Sequence, residues 1–278
     1  MTDTPENEEI DLEALAEAYN RGLAAEKAGD RDGAVTAFEE VLAIDPYDRG
    51  GVSLRLAALG AAASPETAPP AYVATLFDQT AQRFDEILVE QLGYAVPMLL
   101  RERLDALSLG PFERLLDLGC GTGLVGESLA ERAGHITGVD LSEEMLAETD
   151  ARGAYHDLYL ADATGFLEAS TTEDDPPFDL IAAMDVLPYI GALEPFAAGL
   201  STRVAPGGLV ALSAEILPED EIGPQGYRVG PHHRFAQSEP YLRDCLAAVG
   251  LRITDWQTIT VRTESGKPVP GCLLLARP

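Results

Sequence analysis

The sequence predicts an α/β fold, a largely parallel sheet with helices on both faces, closed by an antiparallel hairpin and preceded by a small helical unit. Two observations carry most of this. From Glu113 onward, short β-type apolar runs alternate with amphipathic helical stretches, the texture of a parallel sheet with crossover helices. From Leu12 to Ile44 the apolar spacing is helical, with a partial continuation at Val52–Leu59. A third places the hairpin: the last two apolar runs are separated only by the turn-like stretch Glu264–Pro270.

Taken in order, residues 1–10 are polar and acidic, and a disordered tail is expected there. Helical spacing follows over Leu12–Ala28 and Gly33–Ile44, divided by the turn at 28–32, with a partial continuation at Val52–Leu59. The stretch Ala61–Ala71 contains Pro65, Pro69 and Pro70 without apolar periodicity and is expected to be a linker, so that residues 11–68 form one unit and 69–278 the main domain. Residues 72–107 are expected to be helices, with an apolar stripe of Phe77, Ala81, Phe84 and Leu88. Strands are then expected at Arg114–Leu118, Ile136–Asp140, Asp157–Leu160, Phe178–Met184, Leu209–Ser213, Leu251–Val261 and Cys272–Ala276. Helices are expected between them near Leu124–Arg132, Glu143–Arg152, Leu193–Arg203 and Glu239–Val249.

Composition narrows the function classes. With 47 Asp and Glu against 19 Lys and Arg in 278 residues, the formal net charge is −28. Such a surface repels phosphate backbones and anionic headgroups, so neither nucleic acid nor membrane is an expected partner. The three cysteines, Cys120, Cys245 and Cys272, are far apart and form no metal-ligand or disulfide spacing, so no metal is expected. No signal peptide and no apolar run near the ~18 residues of a membrane span is visible, and a cytoplasmic location is expected.

The most informative run is Leu115-Leu116-Asp117-Leu118-Gly119-Cys120-Gly121-Thr122-Gly123. A buried strand ends in a glycine-rich turn and a helix follows, so backbone can approach a ligand while the helix N-terminus offers donors. Gly121, Gly123 and Gly126 also satisfy the GxGxxG spacing of dinucleotide sites, with Asp140 about 20 residues on. That register alone leaves a nicotinamide-dependent oxidoreductase open. Three further features separate the readings: Asp117 ahead of the glycines, Asp140 closing the second strand, and Asp162-Ala163 after the third, where a carboxylate and the next N–H can read an adenine edge.

With these motifs, together with FDLIAAMDVLPYI at 178–190 and APGG at 205–208, residues from about 75 to 278 resemble the class I S-adenosylmethionine (SAM)-dependent methyltransferases. The N-terminal stretch, with Gly22, Gly29, Ala34, Phe38 and Pro46 at repeat spacing, resembles one tetratricopeptide repeat, and the whole chain resembles methyltransferases carrying such a repeat. The resemblance implies a Rossmann-like seven-stranded sheet and SAM as cofactor. It implies that Gly119 and Gly121 lie beside the methionine part, that Asp140 holds the ribose, that Leu141 packs on the adenine whose edge Asp162 and Ala163 read, and that Cys120 and Met145 also belong to the cofactor site. Met184 and Asp185 would border the methyl group, Phe84 would cover the cofactor, and Asp117 would support the loop by bonding its amides.

For the acceptor, Asp185-Val186-Leu187-Pro188-Tyr189 breaks the Asn/Asp-Pro-Pro-aromatic run of amino-methylating nucleic-acid enzymes, and no cysteine follows a proline as in cytosine-C5 enzymes. A small-molecule acceptor methylated on O or N is therefore expected. Residues 222–238 contain no Asp or Glu but hold Arg228, His232, His233 and Arg234, which suggests an anion-binding loop for a carboxylate-bearing metabolite. In that reading His232 or His233 supplies a base, Asp185 is a further catalytic candidate, and Tyr189, Arg228 and Arg234 contact the acceptor. The repeat-like unit leaves a second expectation open: a protein partner, recruited for methylation or for SAM-dependent regulation, or self-association.

Overall fold

The computed structural model describes residues 10–169, 176–264 and 266–278. The expected N-terminal tail falls almost wholly outside them. The chain opens with helices α1 (Leu12–Ala28), α2 (Arg31–Ile44) and α3 (Val52–Ala58). Asp11 and Asp30 cap the first two by accepting the N–H groups of Ala14 and Gly33, each at 3.0 Å. The helices α1 and α2 cross where Gly22 leaves room for the Phe38 ring; a Cβ on Gly22 would lie 2.4 Å from it.

The segment expected to be a linker is docked instead. Ala68 N–H donates to the Tyr189 carbonyl (2.9 Å), Gly191 and Ala192 N–H donate to the Glu66 carbonyl (2.9 and 2.7 Å), and Val229 N–H donates to Ser64 Oγ (3.0 Å). These are backbone-directed contacts, and side-chain periodicity carries no trace of them. Two proline-started helices follow, α4 (Pro70–Asp78) and α5 (Val96–Ala106), but the helical stretch expected between them is broken into a 3₁₀ turn (Ala81–Arg83) and a π-helical turn (Glu86–Gln91). The stripe still packs: Phe84 meets Phe77 edge-on at 5.8 Å, and Leu88 is buried.

The main sheet begins at β1 (Phe112–Leu118) and continues through α6 (Leu124–Leu129), β2 (Ala133–Asp140), α7 (Glu143–Arg152), β3 (Asp157–Leu160), α8 (Ala163–Glu168), β4 (Phe178–Ala183), α9 (Glu194–Arg203) and β5 (Val204–Glu215). A short helix α10 (Glu219–Ile222) leads to β6 (Tyr227–Val229) and β7 (Phe235–Gln237), then come α11 (Glu239–Ala248), β8 (Arg252–Glu264) and β9 (Lys267–Arg277). The seven-stranded order is β3-β2-β1-β4-β5-β9-β8, parallel except for β9 and β8. Strands buried on both faces explain the near-continuous apolar runs: Leu116 and Leu118 pack into one layer, Leu115 into the other.

Two differences from expectation matter for the site. The acid-free window is not a plain loop; β6 and β7 pair antiparallel within it, Tyr227 opposite Gln237 and Val229 opposite Phe235. The final hairpin is also longer and tighter than expected, with Glu264 paired to Lys267. Pro268 and Pro270 sit on β9 beyond its register with β5, which stops at Gly271, so they interrupt no ladder there. Among the described residues no helix is long and apolar enough to cross a membrane.

Deleting residues 1–68 would strip backbone partners from 189–192 and uncover the layer containing Tyr189, Tyr227 and Phe235. The truncated chain is expected to melt lower by at least about 5 °C, the shift of roughly 2 kcal/mol at this size, and to be less soluble. Thermal denaturation of both chains checks this; an unchanged melt would mean that the helical unit contributes nothing to the main domain.

Candidate functional site

The C-terminal ends of the parallel strands, where β1 and β4 diverge in connectivity, open into a cleft. Of the residues singled out from sequence, Phe84, Gly119, Cys120, Gly121, Asp140, Leu141, Asp162, Ala163, Met184, Asp185, Tyr189 and Arg234 line it. The glycine loop is shaped by positive φ at Gly119 (64°) and Gly121 (55°). A Cβ at Gly119 would come within 2.5 Å of Val186, so the loop has no room for a side chain there.

Asp140 organises this end of the cleft. One carboxylate oxygen accepts the Gly121 N–H (2.8 Å), the other the Ser142 N–H (2.9 Å). Burial raises its pKa and these backbone donors oppose the rise, while it still lines the cleft. The segment between α4 and α5 clamps the same region: Ser142 Oγ donates to Asp78 (2.6 Å), Thr122 Oγ donates to Asp85 (2.6 Å), and Arg152 pairs with both Asp85 and Glu127. At the next strand end, Asp162 caps α8 by accepting the Gly165 N–H at 2.8 Å.

Several expected site residues lie elsewhere. Asp117 is completely buried beneath the loop; it accepts the Tyr155 hydroxyl (2.5 Å) rather than loop amides, because the Gly121 amide is taken by Asp140. Met145 is also fully buried and lies outside the cleft lining, since it belongs to the buried side of α7. Arg228, His232 and His233 do not reach the cleft. Arg228 donates to the Glu221 carbonyl (2.6 Å), His232 pairs with Glu264 (3.2 Å), and His233, at the β6–β7 turn with φ 59°, faces Glu26 of α1 at 3.5 Å. Burial and the Arg55 guanidinium push the His233 pKa below that of free imidazole. The hairpin turns these side chains away, so the acid-free window forms no anion patch at the cleft.

Only Arg234 from that window lines the cleft, and acids from other elements surround it. Its guanidinium stands over the Tyr189 ring at 5.8 Å, with Glu264 at 3.6 Å and Glu215 at 3.9 Å. Arg262 of β8, wholly buried, pairs with those carboxylates: it donates to Glu264 at 2.7 Å and to Glu215 at 2.5 Å, and reaches Asp185 at 3.4 Å. Arg262, Glu215 and Glu264 had no motif to mark them in the sequence. Nor had Tyr94, Thr67 and Ala68, which complete the cleft wall from the helical side.

Residues 116–210 match the family model described as a methyltransferase domain. A ubiquinone biosynthesis O-methyltransferase of Maricaulis maris (strain MCS10) is 33% identical over 102 residues, 36% of this chain and 40% of that protein. The protein of the same name from Aeromonas salmonicida (strain A449) is 34% identical over 103 residues, 36% of this chain and 42% of that one. The chain thus spans less than half the length of these relatives. Among solved structures, a "DhpI-SAM-HEP complex" aligns with a TM-score of 0.53 at 22% identity, over 73% of this chain and 95% of the other. An S-adenosylmethionine-dependent methyltransferase from Clostridium acetobutylicum ATCC 824 gives 0.51 at 18%, over 73% and 98%. Both likenesses concern the fold.

The burial of Asp117 has a measurable consequence. Burial raises its pKa from 3.8 to about 7, with the Tyr155 bond opposing and the Asp140 charge adding to the rise. The folded chain therefore holds a proton that the unfolded chain has released, and stability falls as pH rises through that window. Relative to an Asp117→Asn variant, the wild-type melting temperature is expected to decline between about pH 4 and pH 7 and to run parallel above it. Melting curves of both proteins across that range test this; parallel curves throughout would refute a buried neutral acid.

Proposed function

We propose, from the methyltransferase domain at residues 116–210, that the chain transfers the methyl group of SAM to an oxygen or nitrogen of a small-molecule acceptor. The observation that carries the proposal is the Asp140 carboxylate beside the glycine loop. Each of its oxygens accepts one backbone N–H, which leaves lone pairs for the two ribose hydroxyls of a nucleoside. The side-chain-free loop at Gly119 and Gly121 suits close approach of the methionine part, and Asp162 with the Ala163 amide suits an adenine edge. These residues fit SAM.

When bound, SAM supplies a methyl group already activated on a sulfonium. The chain's work is then to hold two reactants in line and to keep water out. Phe77, Phe84, Leu88, Tyr94, Met184 and Tyr189 give the rest of the cleft a mainly apolar lining, which favours an acceptor with an apolar or aromatic body. The carboxylate-bearing acceptor expected from the acid-free window loses its support, because Arg234 is surrounded by Asp185, Glu215 and Glu264. The O-methyltransferase names of the relatives favour oxygen over nitrogen.

Titration calorimetry with S-adenosylhomocysteine (SAH) tests the cofactor assignment. Asp140→Ala is expected to weaken binding by about 2–4 kcal/mol, since paired hydroxyl donors lose a charged acceptor. Wild-type affinity in that variant would remove the assignment.

A further inference from the structure

The wall of the cleft that carries Tyr189 and Arg234 is held from behind. Three sets of hydrogen bonds grip the turn 187–192. Gln237 of β7, fully buried, donates its side-chain amide to the Leu187 and Ile190 carbonyls (3.2 and 2.9 Å). From the other side the Tyr189 carbonyl accepts the Ala68 N–H (2.9 Å) and the Thr67 hydroxyl (3.1 Å), and the Glu66 carbonyl accepts the N–H groups of Gly191 and Ala192. The packing leaves no slack: a Cβ on Gly191 would lie 2.6 Å from the Tyr227 ring and 2.7 Å from that of Phe235. Tyr189 therefore sits where the β6–β7 hairpin and residues 66–68 put it.

The hairpin is anchored in turn to the helical unit. Val229 N–H donates to Ser64 Oγ (3.0 Å), and at the tip His233 reaches α1. The tip is closed by the Gly230 N–H on the Arg234 carbonyl (2.8 Å) and the His233 N–H on the Gly230 carbonyl (3.0 Å). Adjacent residues of one turn thus point two ways, His233 toward α1 and Arg234 into the cleft. His233 holds φ 59°, a left-handed conformation that a residue with a side chain keeps only where its surroundings impose it. Its Nε2 is enclosed, makes no hydrogen bond among the described residues and lies 3.5 Å from Glu26 Oε1. The other Glu26 oxygen accepts from Arg55 Nη1 at 2.7 Å.

We propose that Glu26 and His233 are positioning residues for the cleft: their contact seats the β6–β7 turn on the helical unit, fixes Arg234 over the Tyr189 ring, and is released by acid. The helical unit is then part of the binding wall rather than an appendage to it. Nothing in the contact depends on which cofactor the cleft holds.

The groups around the imidazole set the direction of the pH effect. Glu26 of α1, Arg55 of α3 and His232 of the same turn face it, and His232 is itself paired with Glu264 of β8. Burial first, then the Arg55 charge, lower the pKa of the docked ring; Glu26 opposes them and His232 adds to them. In a released turn the ring titrates at the ordinary value of about 6.5. Acid therefore protonates the released form more readily than the docked one. Docking is complete above the ordinary value and weakens below it, by up to about tenfold for each pH unit.

Amide exchange of the full chain, read by mass spectrometry between about pH 7.5 and pH 5.5 and corrected for the intrinsic pH dependence of exchange, tests this. Opening of 227–237 and of 186–192 is expected to rise together as pH falls, by at least about 3-fold across the range. Exchange in β1 (Phe112–Leu118) should stay constant, which reports that the chain remains folded. His233→Asn tolerates the left-handed turn and has no titrating ring. Its hairpin is expected to open about 10-fold more often at pH 7.5 and to show no pH dependence. Glu26→Gln removes the charge that favours a protonated docked ring, so its acid release should exceed that of wild type. The proposal is overturned if wild-type exchange in 227–237 is flat across the range, if 186–192 does not follow the hairpin, or if His233→Asn keeps the wild-type pH dependence.

Discussion

The cleft depends on one carboxylate placed between two backbone amides. Asp140, at the end of β2, accepts from Gly121 in the loop after β1 and from Ser142 at the start of α7, so neighbouring strand ends are tied at their tips. The left-handed turns at Gly119 and Gly121 carry no side chains that could hold them from outside. Fixing the loop therefore falls to hydrogen bonds: the Asp140 pair, the Cys120 N–H on the Val139 carbonyl (3.0 Å), and the Thr149 hydroxyl on the Gly121 carbonyl (2.6 Å). Such preorganisation means a ligand meets donors and acceptors already aimed.

That end of the molecule was legible in the sequence. The strand-glycine-helix punctuation at 115–124, the acid closing β2 and the Asp-Ala after β3 are local patterns, and local patterns survive in one dimension. The opposite wall was legible only in part: Asp185, Tyr189 and Arg234 were expected at the site and line it, but the charged groups around them were not foreseen, for a physical reason. Its charged members, Arg234, Arg262, Glu215, Glu264 and Asp185, come from the lead-in to β7, from β8, from β5 and from the turn after β4, and meet only once the sheet is assembled. The window 222–238 showed the contrast clearly. Its freedom from acids suggested a positive patch, but the carboxylates that surround Arg234 enter from residues far away in the chain, and the β6–β7 turn carries both histidines toward α1 and β8 instead. Backbone pairing misled in the same way at 64–68, where three prolines nearby suggested a free linker.

The helical unit and the main domain are joined along one wall of the cleft. Thr67 bridges Ile190, Thr67 and Ala68 line the cleft, and Glu26 of α1 stands between Arg55 of α3 (2.7 Å) and His233 of the β6–β7 turn. The family match, by contrast, covers β1 to β5, which bear the glycine loop and Asp140. Much of the rest of the cleft lining, from Thr67 to Pro97 and at Arg234, lies outside it.

Arg262 gives the terminal hairpin a particular mechanical character. Its guanidinium is wholly buried, and its partners sit on the turn after β4, on the last residue of β5 and on β8 itself. Peeling β8 and β9 from the sheet edge would carry Glu264 along with Arg262 but part that guanidinium from Asp185 and Glu215, and removing one partner of a buried pair costs about 3–5 kcal/mol. The edge of this sheet consequently has no graded way to fray. Slow amide exchange should extend through the hairpin and end abruptly, with the hairpin and the wall of the cleft opening as one cooperative unit rather than strand by strand.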